Sequence, residues 1–298
     1  MRRKLVRQGQ NALTVTVPRK WTRTHNLNAG DEVEIREDNI SLLISNTNEK
    51  RLKTKTIILK KSNKTHLRSV IASAYKAGYN EIVLKIKEPV RISDINEIIN
   101  SFTGLEFVSQ NKDKIVIKSF LTTNEDDINN LIIKMIHVSK LMLNYLKEDW
   151  NKVDIDNLKS LQKSNQIKIR DHTLRMIHEC RYGGDKSYDY YDFVTILEKL
   201  SNSFYHMANY VKTNKVKKSK LVDQIDELLQ ELGKAYMKKE FYDSNKLWRK
   251  LRKSYKNNID PKSINKLMKK EDPGLVAHYF ATVRLYSQLT SRLISLSG

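Results

Sequence analysis

Asn11-Ala12-Leu13-Thr14-Val15-Thr16-Val17-Pro18-Arg19-Lys20-Trp21, continued by Leu27-Asn28-Ala29-Gly30-Asp31-Glu32-Val33-Glu34-Ile35, decides how this chain begins. Leu13, Val15 and Val17 point one way and Thr14 and Thr16 the other, the period of a half-buried strand. Pro18 suits the first position of a helix, where its missing N–H costs nothing, and Arg19 to Asn26 allows at most about two turns. Asn28-Ala29-Gly30-Asp31 has turn chemistry, with Gly30 free to take a positive φ. Val33 and Ile35 then alternate with Glu32, Glu34 and Arg36, and Asp38-Asn39 reverses the chain into Ile40 to Ile44. Units of roughly 40 to 60 residues or fewer need an external partner or staple to hold together. Two copies are therefore expected to interlock, burying their Leu13/Val15/Val17 and Val33/Ile35 faces together.

The same stretch is cationic. Arg2, Arg3, Lys4, Arg7, Arg19, Lys20 and Arg23 fall within Met1 to Asn26, which has no acidic residue. Across all 298 residues the formal net charge is +21 and the pI is near 9.7. By segment the charge is +9 for residues 1–64, +2 for 65–118 and +10 for 119–298, so it is densest at the front. That balance favours a polyanionic partner. The C-terminal excess reads equally well as lysines on solvated helix faces.

With strand, Pro-led helix, Leu-x-x-Gly-Asp turn and second strand in this order, residues 1–48 resemble the AbrB-type swapped-hairpin DNA-binding domain. The resemblance implies a homodimer formed by hairpin exchange, with a basic face gripping double-stranded DNA. Carried onto this sequence, the grip falls on Arg3, Lys4, Arg7, Arg19, Lys20 and Arg23. Some proteins of this fold act as antitoxins, so the fold alone does not fix the task.

Beyond a polar, basic connection at Lys50 to Lys55 the pattern changes. Thr56 to Leu59 reads as a strand, Leu67/Val70/Ile71/Ala74 as a helix face ending at Gly78, and Ile82 to Ile86 as a strand. Ser93 is placed to cap a helix carrying Ile95, Ile98 and Ile99 that stops near Gly104. Leu105 to Ser109 and Ile115 to Ile117 complete a β-α-β-α-β-β unit over residues 54–118. It has no glycine-rich phosphate loop and reads as a scaffold or spacer.

Residues 124–298 are expected to be all-α. Ile128, Leu131, Ile132, Met135, Met142, Leu143 and Leu146 recur at helical spacing, as do Phe193, Ile196, Leu197, Leu200, Phe204, Met207 and Val211. Further helices are expected near Asn157 to Arg181, Ser219 to Lys239, Phe241 to Lys256 and Gly274 to Leu296. Breaks fall at Tyr182 to Asp185, Thr213 to Lys218 and Asp260-Pro261. The expected fold class is multidomain: a swapped-hairpin β domain, a small α/β unit and an antiparallel six-helix bundle.

That layout resembles archaeal PhoU-type phosphate-uptake regulators, as does the lead-in Thr103-Gly104-Leu105-Glu106-Phe107-Val108 through Ile115-Val116-Ile117-Lys118. Many PhoU proteins hold metal clusters through Glu-x-x-x-Asp pairs. Here Glu198 is followed by Asn202, Asp171 is preceded by Ile167, and Gly274 to Gly298 has no acid. Hard cations need several anionic oxygens, so no cofactor is expected, and Asp171 and Glu198 are the residual metal candidates. His172 and His178 are six apart, off one helical face. Tyr188, Tyr190 and Tyr191 read as packing, as does Cys180. The run Lys246/Arg249/Lys250/Arg252/Lys253/Lys256 reads as a solvated face or an extension of the nucleic-acid contact.

Cys180 is the only cysteine, so no intramolecular disulfide is possible. Neither a signal peptide nor an 18-residue apolar stretch is visible. The expectation is a cytoplasmic, dimeric, DNA-binding transcriptional regulator linked to phosphate uptake, with no membrane insertion. No nucleophile, base and orienter set marks an enzyme. The alternative is a PhoU-like adaptor that docks on a transporter or sensor kinase without binding DNA.

Overall fold

The computed structural model describes residues 1–38, 41–46, 53–59, 63–87, 90–121, 124–238, 249 and 261–297. The chain divides into two compact units, 1–52 and 53–298.

In the first unit, β1 (Val6–Gln8) pairs antiparallel with β2 (Ala12–Thr14), setting Arg7 opposite Leu13. Gly9 in the turn between them has φ +74. β2 is shorter than the alternation suggests, because residues 15–17 have no ladder partner among the described residues. Helix α1 (Arg19–Thr24) follows. Pro18 lies one position outside it, at the N-cap, with ψ 125 still extended, and its carbonyl accepts from the N–H groups of Trp21 and Thr22 at 2.8 and 3.1 Å. Gly30 takes the positive φ expected of it, +98, and Asp31 closes the turn by accepting from the Asn28 N–H at 2.6 Å. β3 (Val33–Asp38) and β4 (Ser41–Asn46) form a second antiparallel hairpin running from Val33 opposite Asn46 to Asp38 opposite Ser41.

The second unit opens with β5 (Thr54–Leu59), α2 (Lys64–Lys76), β6 (Glu81–Ile86), α3 (Ile92–Asn100), β7 (Leu105–Asn111) and β8 (Lys114–Ser119). The sheet order is β5-β6-β8-β7, with β5 and β6 parallel through the α2 crossover and the other pairs antiparallel. Leu67, Ile71, Tyr75, Ile82, Leu84, Ile95, Ile98, Ile115 and Ile117 fill the core between helices and sheet. Asn63 caps α2, accepting from the His66 N–H at 2.8 Å. Ser93 does not cap α3. The helix begins earlier, with Arg91 in the extended N-cap position, which leaves Ser93 inside the first turn.

The rest of the described residues is mainly helical: α4 (Asp127–Asp149), α5 (Ile155–Ser160), a π-helical stretch (Leu161–Ile167), α6 (Lys168–Cys180), α7 (Ser187–Asn214), α8 (Leu221–Lys238), α9 (Pro261–Met268) and α10 (Pro273–Leu296). The expected single helix from Asn157 to Arg181 is thus an α–π–α run. Of the break expected at Asp260-Pro261, Asp260 lies outside the described residues. Proline's fixed φ suits a first helical turn, and Pro261 opens α9. The helix expected over Phe241 to Lys256 lies outside the described residues apart from Arg249. α7 is the central element, packed against α4, α6 and α10, with Phe193, Leu197, Leu200, Phe204, Met207 and Val211 fully buried.

The α/β elements and the helices share one compact unit, and Arg175 of α6 shows how. It is 1% exposed, and its Nη1 donates to the carbonyls of Tyr75 and Tyr79, both at 2.9 Å. Its Nη2 pairs with Glu179 at 2.8 Å, and the guanidinium lies 5.0 Å from the Tyr75 ring centre. A cation from the helical layer therefore adds donors to one carbonyl in the last turn of α2 and one just past it, where the helix dipole is negative. Removing one partner of a buried ion pair costs about 3–5 kcal/mol. Arg175→Ala should lower unfolding stability by about that much in urea denaturation, and a loss below about 1 kcal/mol contradicts this role.

Candidate nucleic-acid interface

The cations expected to grip a polyanion come from two places in the first unit. Arg19, Lys20 and Arg23 occupy positions i, i+1 and i+4 of α1 and are all exposed, while Trp21, Thr22 and His25 are partly covered. The Trp21 and His25 rings lie 5.0 Å apart. α1 thus has one cationic, solvated face and one packed face. Arg3 and Lys4 precede β1 and are exposed outside any regular element. Among the described residues none of Arg3, Lys4, Arg19, Lys20 and Arg23 forms an ion pair, so their charge is uncompensated at short range.

Arg7 is placed differently. Residues directly opposite in an antiparallel ladder share a face, and Arg7 stands opposite Leu13. It therefore belongs to the sheet face expected to be buried between two copies, with its Nη2 donating to the Gln10 carbonyl at 3.3 Å. Sequence spacing alone could not show this, because the register depends on the turn at Gly9.

No described residue from Met1 to Asn46 is buried. Leu13 is 63% exposed, Ile35 58% and Leu42 65%. The register places Val33, Ile35, Leu42 and Ile44 on one face of the second hairpin, an apolar patch that the described residues of this unit leave at least partly exposed. Full burial of one such side chain contributes roughly 1.5–3 kcal/mol, which is what a partner covering this patch would supply.

Two small antiparallel hairpins joined by a short basic helix make up the described part of the first unit. Residues 6–52 match the family described as antidote-toxin recognition MazE, bacterial antitoxin. The MazE family belongs to the same swapped-hairpin superfamily as the AbrB type. The match covers about a sixth of the chain, and every described element of the first unit lies within it. No curated protein and no solved structure matches the chain.

The residual metal candidates, Asp171 and Glu198, are brought together inside the helical layer with a cation between them that belongs to the protein. Arg170 donates to Asp171 Oδ1 through Nε and Nη2 at 2.9 and 2.7 Å and to Glu198 Oε2 through Nη1 at 2.8 Å. Burial pulls the Arg170 guanidinium down, but the Asp171 and Glu198 carboxylates outweigh it and raise it above its ordinary range. Glu198 Oε1 accepts from Gln162 Nε2 at 2.6 Å, and Asp171 Oδ2 faces Arg68 Nη2 of α2 at 3.5 Å. Gln166, also buried, donates to the Met135 carbonyl and to Ser139. Gln162, Gln166 and Arg170 recur every four residues, which in sequence reads as a solvated stripe. The π-helical stretch carries that stripe into the interior.

The other candidates separate. His172 is half-buried and held below its ordinary pKa by burial and then by Arg175, while His178 is exposed. Cys180 forms no disulfide. Tyr190 is buried and forms an edge contact with Tyr182, Tyr191 is half-buried, and exposed Tyr188 lies under the Arg292 guanidinium. Among the described residues no group of three or more His, Cys, Asp or Glu side chains converges. Of the C-terminal basic run only Arg249 lies within the described residues.

With Arg170 already on the carboxylate oxygens, added Zn²⁺, Mn²⁺ or Ca²⁺ should leave the thermal midpoint of the full chain unchanged. A midpoint that climbs with metal concentration contradicts this, since saturation at a hundredfold over Kd would add about 2.7 kcal/mol.

Proposed function

We propose that the chain is a DNA-binding transcriptional regulator whose N-terminal unit dimerises by pairing its exposed apolar faces and presents α1 and the N-terminal arm to the duplex. The observation that carries this reading is the combination, among the described residues, of cations without ion pairs and a first unit in which no side chain is fully buried. The match of residues 6–52 supports it. Arg19, Lys20 and Arg23 supply phosphate contacts that set register on the duplex, with arginine available for base edges. Arg7, on the Leu13 face, contributes at the rim of the dimer.

The family's description favours a second reading, in which the unit belongs to an antitoxin and the helical layer receives a toxin protein. A PhoU-like six-helix bundle and a link to phosphate status rest on the order of the regions and on the resemblance of the lead-in from Thr103 to Lys118. No comparison supports that link, and none supports docking on a transporter or sensor kinase. Among the described residues no helix is long and apolar enough to cross a membrane.

Each phosphate contact contributes about 0.9 to the slope of log affinity against log salt on duplex DNA. Arg19→Ala and Arg23→Ala in the full chain should each lower that slope by about 0.9 per copy seated on a phosphate, about 1.8 for a dimer with both copies engaged, measured by fluorescence anisotropy over a salt series. Slopes identical to the parent chain for both variants contradict the proposed grip.

A further inference from the structure

The link between α7 and α8 places Lys215, Lys217, Lys218 and Lys220 within six residues, all exposed. We infer that this loop is a second polyanion contact, seated on the phosphate backbone of the nucleic acid. The choice of partner rests on DNA binding by the N-terminal unit; the presence of a contact surface rests on the loop itself.

The loop is pinned. Val216 is buried, its N–H donates to the Val211 carbonyl at 3.1 Å, and its own carbonyl accepts from the Trp150 indole N–H at 2.6 Å. Ser219 is also buried and accepts from the Leu221 N–H at 3.1 Å. With these two residues turned inward, the lysines between and beside them face solvent from a fixed backbone. Lys215 is held at φ +51, a left-handed conformation that costs an L side chain about 1–2 kcal/mol.

Local stability accounts for only part of this charge. Lys212 and Lys215 end α7, where the helix dipole favours cations, and Lys212 also donates to the Val153 carbonyl at 2.9 Å. Lys217, Lys218 and Lys220 instead precede the start of α8, where the dipole disfavours them. The neighbouring acids are engaged elsewhere. Asp223 and Asp226 of α8 pair with Lys147 at 3.4 and 2.6 Å, and Asp154 caps α5 through the N–H groups of Asp156 and Asn157. Glu148 and Asp149, at the end of α4 beside Trp150, are exposed and form no ion pair with the loop among the described residues.

The side-chain chemistry selects the partner class. Lysine is a compact, strongly hydrated point charge suited to phosphate but poorly suited to planar base recognition. The exposed part of the loop has no aromatic side chain to stack on bases and no apolar side chain to anchor in a lipid surface. The contact should therefore be blind to sequence, adding affinity and salt dependence without specificity.

The test uses the full chain, fluorescent duplexes of two unrelated sequences and a salt series, comparing the parent with a Lys217→Ala/Lys218→Ala/Lys220→Ala variant and an Arg19→Ala/Arg23→Ala variant. The loop variant should keep the parent's thermal midpoint and lose about 0.9 of slope for each lysine seated on a phosphate, equally on both duplexes. Parent-like slope and affinity in the loop variant overturn the inference. So does loop-dependent binding to polyglutamate or phosphatidylserine vesicles with an unchanged DNA slope. If instead only the Arg19/Arg23 variant behaves like the parent, the reading of the N-terminal unit fails while the loop contact stands.

Discussion

Apolar surface that one chain cannot cover governs the first unit. Two hairpins and a helix of six residues cannot enclose a core, and Leu13, Ile35 and Leu42 stand in solvent. Conformational entropy opposes ordering such a piece at about 1–2 kcal/mol per residue, and without burial there is little to offset it. In the proposed dimer a second copy supplies the missing surface. Pairing also doubles the cationic face, so the contact that completes the fold would build the binding surface as well.

The second unit has the opposite character. Its interior is closed and mostly apolar, yet it holds charges: Arg170 between Asp171 and Glu198, and Arg175 over the end of α2. Buried ion pairs are weak evidence for stability, because desolvation offsets much of their attraction. What these pairs supply is directional contact between elements. Arg175 and Arg68 both join α2 to α6, and Gln162 with Arg170 ties the π-helical stretch to α7 through Glu198.

Local patterns were legible in the sequence. The alternation around Val33 and Ile35, the turn at Gly30 and the helix–strand order of the α/β elements depend on near neighbours, and they appear where expected. What the sequence hid depends on distant partners. Ser93 looked like a cap, but the chain had already turned helical at Ile92. The burial of Gln162 and Gln166 has no signal in the sequence, because a one-dimensional pattern cannot show a π-helical stretch turning polar residues inward. The cations of α1 were visible as a run, whereas the placement of Arg7 beside Leu13 follows from hairpin register. Lys217 and Lys218 read as part of a break until Val216 and Trp150 were seen to hold that break rigid.

The most direct test of the central claim is the solution mass of the intact chain by sedimentation equilibrium, alongside Leu13→Asp. The account predicts a dimer for the parent and a monomer for the variant, with the helical circular dichroism signal retained. A monomeric parent at micromolar concentration, or a variant that still pairs, would contradict it.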